Sequence, residues 1–163
     1  GPQGPAVNPG VYTVTLTVDG KRYSQKLPVR IDPRVKTSAL GLKQQFDLSI
    51  QAYDGIIRAR TLTAEVTKLI ADLERSQPTS PALPKLRALV GGGQQRGGPP
   101  AASPPVAVAD FPLGRLAGSF TQLLDLLQDA DVAPSTQAVA AARDLQTALA
   151  RAERLFKEAT QAK

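Results

Sequence analysis

The chain has 163 residues, contains neither histidine nor cysteine, and carries a net charge of +6 from 20 basic and 14 acidic residues. The missing residue types exclude disulfides, Cys/His zinc sites, thiol nucleophiles and Ser-His-Asp triads. Hydrophobic residues make up 42% of the chain but aromatic residues only 4%, which favours a helical core rich in alanine and leucine. No apolar run approaches the ~18 residues that a membrane-spanning helix needs.

Residues 9–34, PGVYTVTLTVDGKRYSQKLPVRIDPR, predict two β-strands joined by a tight turn. Asp19-Gly20 is the turn pair, because glycine adopts positive φ without a Cβ clash. This register places the larger apolar side chains on one face of the hairpin. The residues expected on that face are Leu16, Tyr23, Leu27, Val29 and Ile31. Pro28 marks an edge or the end of the second strand.

The positive charge is concentrated on the hairpin. Residues 1–36 contain six basic and two acidic residues, whereas residues 111–163 contain six of each. A nucleic-acid surface usually interleaves basic residues with stacking aromatic side chains. The basic residues Lys21, Arg22, Lys26 and Arg30 are therefore interpreted as solvated positions that protect the edge of the hairpin, and nucleic acid is not the expected partner.

A long helix is predicted from Ser38, a suitable N-cap, to Arg75. Its apolar residues recur at helical spacing, and they are Leu42, Phe46, Tyr53, Ile56, Ala59, Leu62, Val66, Leu69 and Leu73. A helix of this length spans roughly 57 Å and needs partners along its apolar face to be stable.

The segment at about 76–110 is predicted to be a linker rich in glycine and proline. The motif SQPTSPALP ends the long helix, and Leu83 to Val90 are expected to form two short helical turns. The run GGGQQRGGPPAASPP is interpreted as a linker, because a phosphate-binding loop would end in Gly-Lys-Ser/Thr and follow a strand.

Two further apolar seams predict two more helices. The first contains Leu113, Leu116, Phe120, Leu123 and Leu127; the second contains Ala138, Ala142, Leu145, Leu149, Ala152, Phe156 and Ala159. A break at residues 131–135 separates them, so the two helices are expected to pack antiparallel with the long helix as the third member. The predicted fold is mainly α with a small β part. A β-hairpin (1–35) precedes an antiparallel three-helix bundle within residues 36–163.

Two groups of acidic residues are considered as a cation site and as a catalytic carboxylate pair. Asp125, Asp129 and Asp131 suggest a cation site, but they lack the glycine and closing glutamate of an EF-hand loop. Asp72 and Glu74 lie two positions apart on a helix and do not share a face. The sequence therefore predicts no catalytic, cofactor-binding or metal-binding residues, no cofactor, and no enzyme activity for this chain itself; it assigns no binding residues.

Residues 9–35 resemble the closing strands of the Ig-like domain in bacterial sortilin-like (VPS10-type) β-propeller proteins. That family is often labelled a BNR-repeat glycosyl hydrolase. The matching motif is Pro-Gly-x-Tyr-x-Val-x-Leu-x-Val-Asp-Gly-Lys-x-Tyr, followed by an exit through Asp32-Pro33-Arg34-Val35. DADVAPSTQAVAAARDL, residues 129–145, is similar to the helical continuation in that family.

The resemblance implies that the chain is a C-terminal fragment of a secreted or periplasmic protein whose propeller lies upstream. The expected function is a non-catalytic accessory segment that docks, braces or oligomerises. Its partner would be the upstream propeller and Ig-like region, or another copy of the chain. One alternative is that the segment contributes to a hydrolase whose catalytic site lies in the propeller. Another is an independent helical module that binds a partner or forms a coiled coil.

Overall fold

A computed structural model describes residues 4–91 and 111–161 of the chain. Two strands precede four helices along these residues. The elements are β1 (Gly10–Val18), β2 (Lys21–Val29), α1 (Ala39–Ser76), α2 (Ala82–Val90), α3 (Leu113–Gln128) and α4 (Thr136–Gln161). The predicted fold class, mainly helical with an N-terminal hairpin, is confirmed.

The hairpin has the predicted turn and register. Asp19 and Gly20 both have positive φ, 49° and 76°, as a type I′ turn requires. The strands are antiparallel, with Val18 opposite Lys21 and Leu16 opposite Tyr23. The register confirms the alternation of apolar and polar residues that the sequence predicts.

Contacts between side chains and backbone show how the helices run. Gln45 near the start of α1 donates to the carbonyl of Leu127 near the end of α3, so these two helices are antiparallel. Gln146 in α4 donates to the carbonyl of Gln51. Further along both helices Arg58 pairs with Glu153, so α1 and α4 are parallel. It follows that α3 and α4 are antiparallel, as predicted.

The core lies between α1, α3 and α4, with α2 closing one end. The predicted seams are largely buried, and the largest fully buried side chains are Phe120, Ile56, Leu86, Leu113, Leu116, Leu149 and Val66. The predicted N-cap of α1 is also confirmed, because the Ser38 hydroxyl accepts from the backbone N–H of Gly41 at 3.1 Å. Burial of the apolar seams supplies most of the stability of such helices.

Besides the three helices of the predicted bundle, the structure contains the short helix α2. Helix α2 confirms the helical turns expected at Leu83 to Val90, and it packs against α1 and α4. Leu83 and Leu86 are buried, and Arg87 forms an ion pair with Glu74 of α1 at 2.6 Å. Part of the predicted linker at 76–110 is therefore structured; residues 92–110 lie outside the described residues.

A glycine allows α1 and α3 to approach closely. A Cβ atom on Gly55 would lie 2.5–2.7 Å from ring atoms of Phe120. Phe120 is fully buried, so its ring has no open space into which to move. Glycine at position 55 thus allows the close contact between α1 and the Phe120 ring; it is not needed there for backbone flexibility.

Gly55→Ala is expected to lower the free energy of unfolding by about 1–3 kcal/mol, because overpacking against Phe120 outweighs the gain in helix propensity. Gly118→Ala is the matched control, since a Cβ at Gly118 in α3 meets no atom within 4 Å. That control is expected to stabilise the chain by up to about 1 kcal/mol. Urea unfolding of both variants checks the prediction; equal effects at the two glycines would contradict it.

Candidate interaction surface

One face of the hairpin exposes large apolar side chains. We call this the apolar face; its apolar residues are Tyr12, which is half-buried, and Val14, Leu16, Val18, Tyr23 and Leu27, while Lys21 and Gln25 also lie on it. Leu16 is 60% exposed, Tyr23 58% and Val14 52%. Leucine and valine side chains of the helical core, by contrast, are at most 9% exposed. Contiguous exposed apolar side chains of this kind mark interaction sites on folded proteins.

The opposite face of the hairpin is polar. Its polar residues are Thr13, Thr15, Thr17, Arg22, Ser24 and Lys26, and Val11 and Pro28 share this face near the open end of the hairpin. Lys26 donates to the hydroxyl of Thr13 at 3.0 Å, and the hydroxyls of Thr15 and Ser24 lie 3.0 Å apart. These cross-strand pairs suit a surface that faces water. The hairpin is therefore amphipathic, like half of a β-sandwich.

The two strands stand apart from the helices. Within residues 4–91 and 111–161, β1 and β2 pair with each other, and no Cα atom of either strand lies within 8 Å of a helix Cα atom. The hairpin joins the bundle at its open end, around a cavity of about 200 Å³. Val29 and Ile31 line this cavity from the hairpin side, and Leu42, Phe46 and Ser49 line it from α1.

Polar contacts fix the open end of the hairpin to the bundle. The backbone N–H of Ala6 donates to Oε1 of Gln128 in α3 at 2.7 Å. Thr37, just before α1, donates to the carbonyl of Asp131 in the connection between α3 and α4. Within the bundle, Gln45 of α1 donates to the carbonyl of Ala130 in the same connection at 2.7 Å. The bundle thus holds the base of the hairpin, while the strands project from it.

Asp32 and Arg34 close the exit from β2. Nη2 of Arg34 lies 2.6 Å from Oδ2 of Asp32, and the Arg34 backbone N–H donates to Oδ1 at 2.9 Å. The side-chain bond first, and then the backbone bond, lower the pKa of Asp32 from its ordinary value. Both bonds favour the charged carboxylate.

Since the folded pKa of Asp32 is lowered, this contact stabilises the exit above the unfolded pKa and is lost as the pH falls through the folded value. Arg34→Ala is expected to raise the pKa of Asp32 toward its ordinary value while the backbone bond keeps part of the shift. NMR titration of the Asp32 carboxyl carbon measures this. An unchanged Asp32 pKa in the variant would contradict the assignment of the side-chain bond as the larger cause.

Comparison of the chain with protein-family models, curated proteins and solved structures finds no match. The resemblance to sortilin-like proteins therefore stays a prediction. The most distinctive feature of the described residues is an amphipathic hairpin whose apolar face is exposed and which is attached to a helical bundle.

The structure separates the acidic residues that the sequence singles out. Asp125, Asp129 and Asp131 are exposed, and no group of three or more His, Cys, Asp or Glu in the described part of the chain could hold a metal ion. Asp72 instead pairs with Arg75 one turn away at 2.6 Å. Among the described helices, none combines the length and the apolar character that a membrane-spanning helix needs.

The bundle adds an apolar groove that sequence patterns do not indicate. It runs between α3 and α4, encloses about 420 Å³, and is lined by Phe111, Leu123, Leu126, Leu145 and Ala148 among others. Leu126 is 64% exposed, although it lies next to the buried seam of α3. Helical periodicity places Leu126 off the seam but cannot show that it borders a groove.

Proposed function

We propose that this chain is a non-catalytic interaction segment in which the amphipathic hairpin docks on a second β-sheet and the helical bundle holds it in place. The exposed apolar face carries the proposal. A two-stranded hairpin is only marginally stable by itself, and further strands or a second layer are needed to stabilise it. The apolar face is therefore suited to burial by a partner.

The occupant that the resemblance favours is the rest of an Ig-like sandwich. Two antiparallel sheets in such a domain pack about 10 Å apart, each with its apolar side chains inward and its polar side chains outward. The hairpin already shows this division, with Leu16 and Tyr23 on one face and Thr15 and Ser24 on the other. In this proposal the segment closes a β-domain of a larger extracytoplasmic β-propeller protein and attaches the bundle to it.

Burying the apolar face contributes favourable free energy to such docking. Full burial of a valine or leucine side chain contributes about 1.5–3 kcal/mol relative to leaving it exposed. On the apolar face, the side chains of Val14, Leu16 and Leu27 are 52%, 60% and 49% exposed, and that of Tyr23 is 58% exposed. The charge of the segment adds selectivity, since the net +4 of residues 1–36 favours a partner with acidic residues around the contact.

Size-exclusion chromatography and crosslinking of this chain with the polypeptide upstream of it in the parent protein test the proposal. The two are expected to co-elute and to crosslink through the hairpin. Leu16→Lys is expected to abolish co-elution, because it places a charge in the apolar contact. Thr15→Lys, one residue away on the polar face, is the matched control and retains it. No association of the unmodified chain in either assay would overturn the proposal.

A further inference from the structure

The outer edge of β1 presents a complete row of backbone donors and acceptors. In an antiparallel hairpin with a two-residue turn, Val18 and Lys21 exchange backbone hydrogen bonds, and every second pair along the ladder does the same. The residues between them direct their N–H and C=O groups away from β2. On β1 these residues are Val11, Thr13, Thr15 and Thr17.

Pro28 supports this assignment independently. It lies opposite Val11, at a position where the ladder between β1 and β2 needs no N–H. The missing N–H of Pro28 therefore interrupts the outer edge of β2. Arg22 and Lys26 place two further charges along the same edge, which is how natural sheets block unwanted pairing. β1, by contrast, has no charged residue from Gly10 to Val18.

We propose that the outer edge of β1 pairs with the same edge of a second copy of this chain. The strand is complementary to itself about Val14, its central residue. In that antiparallel register, Thr13 of one copy exchanges hydrogen bonds with Thr15 of the other, and Val11 does the same with Thr17. All four outward-directed residues of each strand are then paired.

Neighbouring registers are less complete. Centring the pair on Thr13 places Thr17 opposite Pro9, which has no N–H to donate. Centring it on Thr15 places Val11 opposite Asp19, which belongs to the turn. Only the register about Val14 satisfies the whole edge, so the sequence of β1 specifies one pairing.

The resulting four-stranded sheet has the order β2–β1–β1–β2 and a continuous apolar face. Directly opposite residues lie on the same face, so Val14 meets Val14 and Tyr12 meets Leu16 across the interface. The basic, proline-interrupted β2 strands form the two outer edges and stop further addition. Because no helix in the described residues packs on β1, the bundle of the same copy does not cover this edge. This edge pairing goes beyond the docking of the apolar face and does not depend on it.

Single-cysteine variants of the full chain test this register, since the chain has no cysteine of its own. In the proposed dimer the two Val14 Cα atoms lie about 4.5 Å apart, within the range of a disulfide. Gln25 lies opposite Val14 on the same face of the hairpin. Its two copies would be three strand spacings apart, about 14 Å. Under mild oxidation with diamide, Val14→Cys is expected to form disulfide dimers at least about tenfold faster than Gln25→Cys.

Proline substitutions provide a second measurement by sedimentation velocity, without a crosslink. Thr15→Pro removes an outward N–H from β1, and Ser24→Pro removes the corresponding N–H from β2 at the paired position. The unmodified chain and Ser24→Pro are expected to dimerise, and Thr15→Pro to sediment as a monomer. The proposal is overturned if the unmodified chain is monomeric at about 100 μM, or if the two cysteine variants crosslink at equal rates, as collision or face-to-face packing would produce.

Discussion

Replacing Phe120 with alanine is expected to lower the free energy of unfolding by about 3–5 kcal/mol, a large share of the ~5–15 kcal/mol typical of a whole domain. Phe120 is fully buried and lies against Gly55, where α1 and α3 approach closely. The glycine has no side chain that could fill the space the ring leaves. The cavity therefore persists, and the cost lies at the upper end for such substitutions.

Urea unfolding followed by the helical circular dichroism signal measures this effect. Leu126→Ala in the same helix is the matched control, because Leu126 is 64% exposed; it is expected to change the stability by no more than about 0.5 kcal/mol. Gly55→Ala added to Phe120→Ala should no longer destabilise the chain, since the ring with which it overlaps is gone. Additive costs for Gly55→Ala and Phe120→Ala would show that the two positions do not share one contact.

Leu86→Ala is expected to cost about 2–5 kcal/mol, which is the second large effect. Leu86 is fully buried although it belongs to the nine-residue helix α2. A helix this short has little stability of its own and depends on its packing against the neighbouring helices. Removing its central anchor should therefore undock α2 from α1 and α4 as well as leave a cavity.

Arg87→Ala separates this apolar anchor from the neighbouring ion pair. The Arg87–Glu74 pair is 2.6 Å long, but both side chains are about half exposed to solvent. Exposed pairs contribute about 1 kcal/mol or less, so this control should be nearly neutral. If Arg87→Ala costs as much as Leu86→Ala in urea unfolding, α2 is held by the ion pair and not by burial.

Local patterns predicted the hairpin and the helix seams because each depends on residues close in the chain. Asp19-Gly20 sets the turn, and the alternation on both sides agrees with it. Ser38 caps α1, and the apolar spacing from Leu113 to Leu127 marks the buried side of α3. In each case turn chemistry, capping and periodicity indicate the same element, which makes the prediction secure.

Features that depend on residues far apart in the chain could not be predicted in this way. Helix propensity alone makes glycine unfavourable at position 55 of α1, and only the position of Phe120 in α3 shows that the glycine is needed there. The docking of α2 likewise depends on the positions of α1 and α4, against which it packs. The candidate interaction surface could be predicted only in part. Its apolar residues were predictable from alternation, but their exposure is a property of the tertiary structure.

The most direct measurement for the central claim is the thermal unfolding of the bundle in a Leu16→Asp variant, followed by the helical signal. Leu16 is 60% exposed and packs on no helix in the described residues. The unfolding midpoint is therefore expected to stay within about 2 °C of the unmodified chain. A fall of about 4 °C or more would correspond to over 1 kcal/mol. At a concentration where the chain is monomeric, such a fall would mean that the apolar face is buried against the chain's own helices and is not a surface for a partner.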